Sequence, residues 1–197
     1  MPLFFVGDSF VAGVGDPHYR GWVGRLCAQF GADLTLYNLG VRRETSQDIA
    51  RRWLTEVQPR IIQDEPCGLV FAFGVNDSVV ELGEPRVARS QSLATSRMLL
   101  EQAKQLGAVL QIGPPPIDDA DINNRVSLLD QGLADVADQL AVPYLSVFDQ
   151  LKDNPIWMEQ VRQGDGAHPG GEGYEALARL IALWSPWQAW MDQINRG

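Results

Sequence analysis

Five short, almost uninterrupted apolar runs, each followed by turn-forming or polar residues, constrain this chain more than any other feature in it. They cover residues 3–6, 34–37, 69–73, 109–112 and 143–147. Strands buried on both faces read as continuous apolar runs, and such strands belong to parallel sheets whose crossovers are helices. The stretches between the runs have helical period. Val126, Leu129, Leu133, Val136, Ala137 and Leu140 recur at steps of three and four, which predicts a helix with one face on the sheet. The helix before the fourth strand is expected to begin at Pro85, a favourable first-turn residue, and to end at Gly107 as a left-handed cap. The expected architecture is α/β: a three-layer α/β/α sandwich around a five-stranded parallel sheet. At 197 residues the chain is read as one domain spanning 1–197. Pro114-Pro115-Pro116 is read as a stiff exit from the fourth strand.

Charge and composition narrow the partners. A formal net charge of -9 opposes binding to polyanions, which depends on clustered Lys and Arg, so no nucleic acid is expected. No segment approaches the length of a membrane-spanning helix, and Met1-Pro2 runs straight into the first apolar run without a leader-like region. The expected setting is therefore soluble and cytoplasmic. Cys27 and Cys67 have neither metal-ligand nor C-x-x-C spacing and are expected to be buried, reduced thiols. Gly13-Val14-Gly15 resembles the start of a dinucleotide loop, but His18 stands where its third glycine belongs. No cofactor is expected.

Ligands of open parallel sheets bind beyond the carboxyl ends of the strands, and the chemically interesting residues follow the strands in this chain. Ser9 follows the first run in Gly7-Asp8-Ser9, and Gly74-Val75-Asn76-Asp77 follows the third. Asp165-Gly166-Ala167-His168 lies beyond the fifth. Gly-Asp-Ser alone is an ordinary turn, and so is Asn-Asp after a strand. Only His18 and His168 can supply an imidazole base, and His18 sits in a polar loop where a solvated or bracing role suits it. His168 has a carboxylate three residues upstream. A hydroxyl needs a base to become a nucleophile, and the base needs a partner to fix its tautomer. Ser9, His168 and Asp165 suit those roles, and the Asn76 amide suits an oxyanion donor. Asp77 is read as a structural cap on the next segment.

The ordered set of blocks resembles the GDSL, or SGNH, hydrolase family over nearly the whole chain. Gly7-Asp8-Ser9, Gly74-Val75-Asn76-Asp77 and Asp165-Gly166-Ala167-His168 match its first, third and last blocks. The resemblance implies a flavodoxin-like SGNH-hydrolase fold and a serine esterase, lipase or thioesterase acting through an acyl-enzyme. Ser9 is then the nucleophile, His168 the base and acid, and Asp165 its orienter. Asn76 and the Ser9 N–H would hold the oxyanion. The family's second block runs Asn-x-Gly-x-x-Gly-x-Thr, and here it reads Asn38-Leu39-Gly40-Val41-Arg42-Arg43-Glu44-Thr45. Arg43 replaces the second glycine, which keeps its backbone donor but restricts its dihedral angles. Asp8, Gly40 and Arg42 are expected substrate contacts. Arg42 and Arg43 read equally well as groups that reach an anionic substrate and as a solvent-exposed basic pair. The implied partner is a small-molecule ester or thioester. The serine lacks a Gly-x-Ser-x-Gly elbow, which disfavours an α/β-hydrolase.

Two other classes compete with this reading. One is a non-catalytic module holding an acyl group, and the other is a metal-dependent phosphoesterase with Asp8, Asp165 and His168 as ligands. At the C-terminus, Trp184, Trp187 and Trp190 surround Pro186. An exposed aromatic cluster would suit a homodimer or a lipid-facing patch, whereas a buried one would pack over the sheet edge.

Overall fold

The computed structural model describes residues 1–29, 34–63 and 65–194. Five parallel strands form the sheet: β1 (Pro2–Gly7), β2 (Thr35–Gly40), β3 (Gly68–Ala72), β6 (Ala108–Ile112) and β7 (Tyr144–Leu145), in the order β2-β1-β3-β6-β7. Side chains alternate across each strand, so each central strand feeds two cores. Leu3, Phe5, Val70, Leu110 and Ile112 face one core; Phe4, Val6, Leu69, Phe71 and Val109 face the other.

The first core is covered by α1 (Ser9–Ala12), α2 (Gly21–Cys27), α8 (Pro155–Gln163), α9 (Gly171–Leu183) and α10 (Ser185–Ile194). The second is covered by α3 (Ser46–Val57), α5 (Arg89–Ala103) and α6 (Ala120–Gln139). Leu129, Leu133, Val136, Ala137 and Leu140 of the periodic stripe face that core, as its spacing predicts, and Val126 is buried. Shorter pieces include a 3-10 turn (Gln58–Arg60), α4 (Val75–Ser78), a hairpin of β4 (Val80–Glu81) and β5 (Glu84–Pro85), and α7 (Phe148–Lys152).

Several boundaries differ from the sequence reading. Pro85 lies in β5, and α5 begins at Arg89, because Arg86 N–H donates to Val79 O at 2.8 Å and Val87 N–H to Asp77 O at 3.2 Å, keeping the chain extended. Gly107 has no left-handed φ. It is required instead by a close approach, since a Cβ there would lie 2.2 Å from Cys67 O. The fifth strand shrinks to two residues because Val147 already has helical dihedrals as the cap of α7. Edge strand β2 is largely exposed rather than covered on both faces.

Trp187 and Trp190 are buried in the first core, where Trp187 lies 6.2 Å from the Phe5 ring and Trp190 rests on the backbone of Gly68. They therefore form no exposed patch; the rings are buried, as the packed alternative has it, and lie beneath strands β1 and β3 rather than over a sheet edge. Trp184 ends α9, and Pro186 sits in the first turn of α10. Both thiols are free, Cys67 buried and Cys27 only half-buried, and burial pushes the Cys27 thiol up to about 12. Among the described residues, no helix is long and apolar enough to cross a membrane.

Candidate active site

The strand order reverses between β1 and β3, and the loops that follow these two strands splay apart there to open a crevice. Ser9 stands on one side of it and Asn76 on the other. Asp8 ends β1 by capping α1: its Oδ1 accepts from Phe10 N–H at 3.0 Å. Ser9 is thus the first residue of a helix, where a backbone N–H has no intrahelical acceptor.

His168 arrives from the loop between α8 and α9. Its Nε2 lies 2.8 Å from Ser9 Oγ, and its Nδ1 lies 2.8 Å from Asp165 Oδ2. A carboxylate facing Nδ1 holds the proton there, which leaves Nε2 of the neutral ring as an acceptor toward the hydroxyl. Asp165 Oδ1 also accepts from the N–H groups of His168 at 2.9 Å and Ala167 at 3.1 Å. Partial burial works to raise this carboxyl, but the two N–H groups and the imidazole outweigh it and hold it down to about 2. The Phe10 ring packs 4.9 Å from the imidazole and fixes its plane.

The loop is held from below by the stretch that resembled a dinucleotide fingerprint. Gly15 has a φ of 92°, and a Cβ there would lie 2.6 Å from Pro169 O and 3.1 Å from His168 Cβ. These glycines let the chain pass under the histidine loop. Tyr174 OH donates to Val14 O at 2.7 Å. Asp16, fully buried, takes both Arg25 nitrogens and the N–H groups of His18, Arg20 and Gly21. The His18 side chain itself is exposed, which fits the solvated alternative.

The opposite side is built differently. Asn76 Nδ2 donates to Asp8 Oδ2 at 3.2 Å and to Glu44 O at 3.0 Å, so both amide hydrogens are engaged within the protein. Burial raises the Asp8 carboxyl to about 7; the Phe10 N–H and the Asn76 amide oppose that rise, and the neighbouring Asp77 charge adds to it. Asp77 Oδ1 accepts from Ser46 N–H at 2.7 Å, so it caps the upstream helix α3 across the site and not the segment that follows it. Arg43 adopts a φ of 71°, the left-handed conformation for which glycine is suited. The turn survives the loss of glycine.

Arg52 is a residue the sequence reading missed. Its Nη2 donates to Gly7 O at 3.0 Å and Leu39 O at 2.9 Å, and its other nitrogens meet Glu44 and Glu56, which ties the ends of β1 and β2 together beneath the site. Adjacent Arg51 is exposed and, among the described residues, paired only with Asp48. No pattern in the sequence separates the two arginines.

Of the expected site residues, Ser9, Asn76, Arg42, Arg43, Asp165 and His168 converge, whereas Asp8 and Gly40 do not line the crevice. Asp8 is buried behind Asn76. Gly40 packs against α1, where a Cβ would lie 2.2 Å from Ala12 N. Both serve the scaffold, which corrects their reading as substrate contacts. The triad of ligands imagined for a metal does not assemble, since Asp8 faces Asn76; among the described residues no three His, Cys, Asp or Glu side chains are grouped to hold one.

Two clefts meet at His168. One, about 400 Å³, runs past Ser9, Asn76 and the apolar Phe10, Val75, Val79 and Ile117. The other, about 510 Å³ and more polar, is lined by Gly15, Gln160, Gln163 and Asp165. Arg42 and His168 stand in the walls of both.

A model of the GDSL-like Lipase/Acylhydrolase family matches residues 5–176 of the chain. No curated sequence matches it. Among solved structures, a lipase/acylhydrolase from Enterococcus faecalis superposes with a TM-score of 0.70 at 24% identity, covering 92% of this chain and 93% of that one. A member of the lipolytic protein G-D-S-L family from Veillonella parvula DSM 2008 gives 0.72 at 20% identity, with 92% and 96% covered. Axe2, an acetylxylan esterase from Geobacillus stearothermophilus, gives 0.72 at 18%, with 91% of each chain covered. Two further Axe2 structures are catalytic mutants, one replacing an aspartate and the other a serine. All these chains share the parallel sheet flanked by helices.

Proposed function

The chain belongs to the GDSL-like lipase/acylhydrolase family, and from that premise we propose that it is a serine esterase that cleaves its substrate through an acyl-enzyme on Ser9. Ser9 Oγ attacks the ester carbonyl as His168 Nε2 takes its proton. The imidazolium, stabilised by Asp165, then gives that proton to the departing alcohol. Water, activated by the same imidazole, attacks the acyl-enzyme and releases the acid with Ser9 restored. The N–H groups of Ser9 and Arg43 and the Asn76 amide receive the oxyanion. For Asn76 to do so, one of its hydrogens must turn from Asp8 or Glu44 O toward the substrate.

The observation that carries this reading is the unbroken hydrogen-bonded chain from Ser9 through His168 to Asp165, with both contacts at 2.8 Å. A module that merely held an acyl group would have no need of it. The acyl part of the substrate is assigned to the apolar cleft beside Ser9. Esterase and lipase neighbours, and the catalytic serine and aspartate of Axe2, support the same assignment.

A fluorophosphonate probe tests the nucleophile: wild-type protein is labelled at Ser9, and Ser9→Ala is not. Labelling that persists in Ser9→Ala, or is missing from wild type, overturns the proposal. Hydrolysis of p-nitrophenyl esters from acetyl to long acyl, beside acyl-CoA and acetylated sugars, then separates ester from thioester preference and fixes acyl length.

A further inference from the structure

Arg42 occupies a special position in this site. It stands where the two clefts join, beside the imidazole that hands its proton to the departing alcohol. Its Nη2 lies 3.6 Å from Asp165 Oδ2, beyond hydrogen-bond distance, and both side chains remain well exposed, at 60% and 46%. The guanidinium fork is therefore held near the triad while its donors stay open to an incoming group. Neighbouring Arg43 is also exposed in the wall of the apolar cleft, and among the described residues it has no ion-pair partner.

Other cations around the site are already committed. Arg52 is spent on Glu44, Glu56 and two backbone carbonyls, and Arg25 on Asp16. The polar cleft's amides are engaged as well: Gln160 binds Gly173 N–H and Glu172, and Gln163 binds Glu159. Arg42 is left as that cleft's available charged donor. This arrangement belongs to a chain of net charge -9, whose long-range field repels anions. At physiological ionic strength that field is damped within about 8 Å. A local guanidinium can then hold an anion that the molecule as a whole does not attract.

Resting on the serine-esterase reading, we propose that the leaving group of the substrate is anionic, an alcohol that itself carries a carboxylate or a phosphate, and that Arg42 seats this charge in the polar cleft. The acyl group fills the apolar cleft on one side of His168, and the charged alcohol leaves on the other. A guanidinium suits both carboxylate and phosphate because its fork can offer two parallel N–H donors.

The test compares two acetyl esters that differ only in charge, para-acetoxybenzoate and its methyl ester, with wild type, Arg42→Ala and Arg42→Lys. The reading is the ratio of kcat/KM for the anionic over the neutral ester, so that leaving-group electronics cancel between proteins. Arg42→Ala should lower that ratio roughly tenfold, equivalent to about 1.4 kcal/mol, and Arg42→Lys should restore part of it. Raising salt from about 0.02 to about 0.5 M screens the repulsion by the whole molecule in both proteins, so the wild-type ratio should fall relative to that of Arg42→Ala and the gap between them should narrow. A ratio unchanged in Arg42→Ala, including an equal loss on both esters, overturns the proposal.

Binding of the products para-hydroxybenzoate and methyl para-hydroxybenzoate to Ser9→Ala, with and without Arg42→Ala, gives the same comparison without turnover. It decides alone if neither ester is hydrolysed. Hydrolysis undiminished in Ser9→Ala would refute the esterase mechanism separately, whatever the ratio shows.

Discussion

The two walls of the crevice reach readiness by different routes. On the histidine side, Ser9, His168 and Asp165 are already joined at 2.8 Å, the loop is fixed by two N–H groups on Asp165, and Gly15 supports it from below. On the oxyanion side, both Asn76 hydrogens are bound to Asp8 and Glu44 O, and Arg43 carries a left-handed backbone. Under the proposed mechanism, proton transfer is preorganised at rest, whereas anion stabilisation requires an exchange of hydrogen bonds. If the Asp8 bond is the one given up, the carboxyl keeps the Phe10 N–H on its other oxygen.

The contrast can be broken by experiment. Replacing Asp165 by Asn strikes the preorganised wall, because a side-chain amide can leave the imidazole in the wrong tautomer; kcat on a p-nitrophenyl ester should fall by about 10³ to 10⁴. Asn76→Ala should cost about 10² to 10³ in kcat with a smaller change in KM, since its interaction grows in the transition state. Equal losses in kcat from these two variants would erase the distinction between the walls.

Asp8→Asn sharpens the comparison. An amide facing Asn76 Nδ2 turns a donor toward a donor, or turns its oxygen there and loses the Phe10 bond, so kcat should drop by roughly 10-fold while fluorophosphonate still labels Ser9. The same variant has a stability signature. The folded Asp8 carboxyl sits at about 7 against an ordinary value of 3.8, so the native state keeps a proton that the unfolded chain releases, and stability falls as pH rises from 3.8 to about 7. Asp165, held at about 2, acts in reverse: its contribution is present above 3.8 and is lost as pH falls toward 2. Urea midpoints measured across the first window should vary less with pH in Asp8→Asn than in wild type. A pH dependence as steep as that of wild type would argue against the buried, proton-holding carboxyl.

The smallest effect belongs to Arg43. Arg43→Gly relieves the left-handed backbone but loosens the unfolded chain, so stability by denaturant titration should change by less than about 1 kcal/mol. Arg43→Val, β-branched at the same φ, should destabilise by roughly 1 to 2 kcal/mol. If both variants behaved alike, the turn would not depend on φ at this position.

The converging residues that were legible beforehand share one property: their chemistry is local. Asp165 and His168 lie three residues apart, so their pairing is a matter of loop geometry, and Ser9 and Asn76 each stand just after an apolar run. Residues whose role depends on a distant segment left no mark. Arg51 and Arg52 are neighbours on one helix, yet only Arg52 reaches the carbonyls of Gly7 and Leu39. Asp8, read as a substrate contact, proved to be the acceptor that holds Asn76, 68 residues away. Pro85 was misjudged for a related reason, because backbone bonds to Val79 and Asp77 overrode its preference for a helix start.

The order and apolarity of the strands, and the kinds of group that follow them, were fixed by the sequence itself, because burial on both faces and turn chemistry act over a few residues. Tertiary structure alone decided which carboxylate faces the imidazole and which supports the amide, and where the tryptophans go. It also decided that a single arginine stands between two clefts. Those outcomes depend on distances between segments that only the closed sheet brings together, and a few tenths of an ångström in such distances separate a hydrogen bond from a loose ion pair.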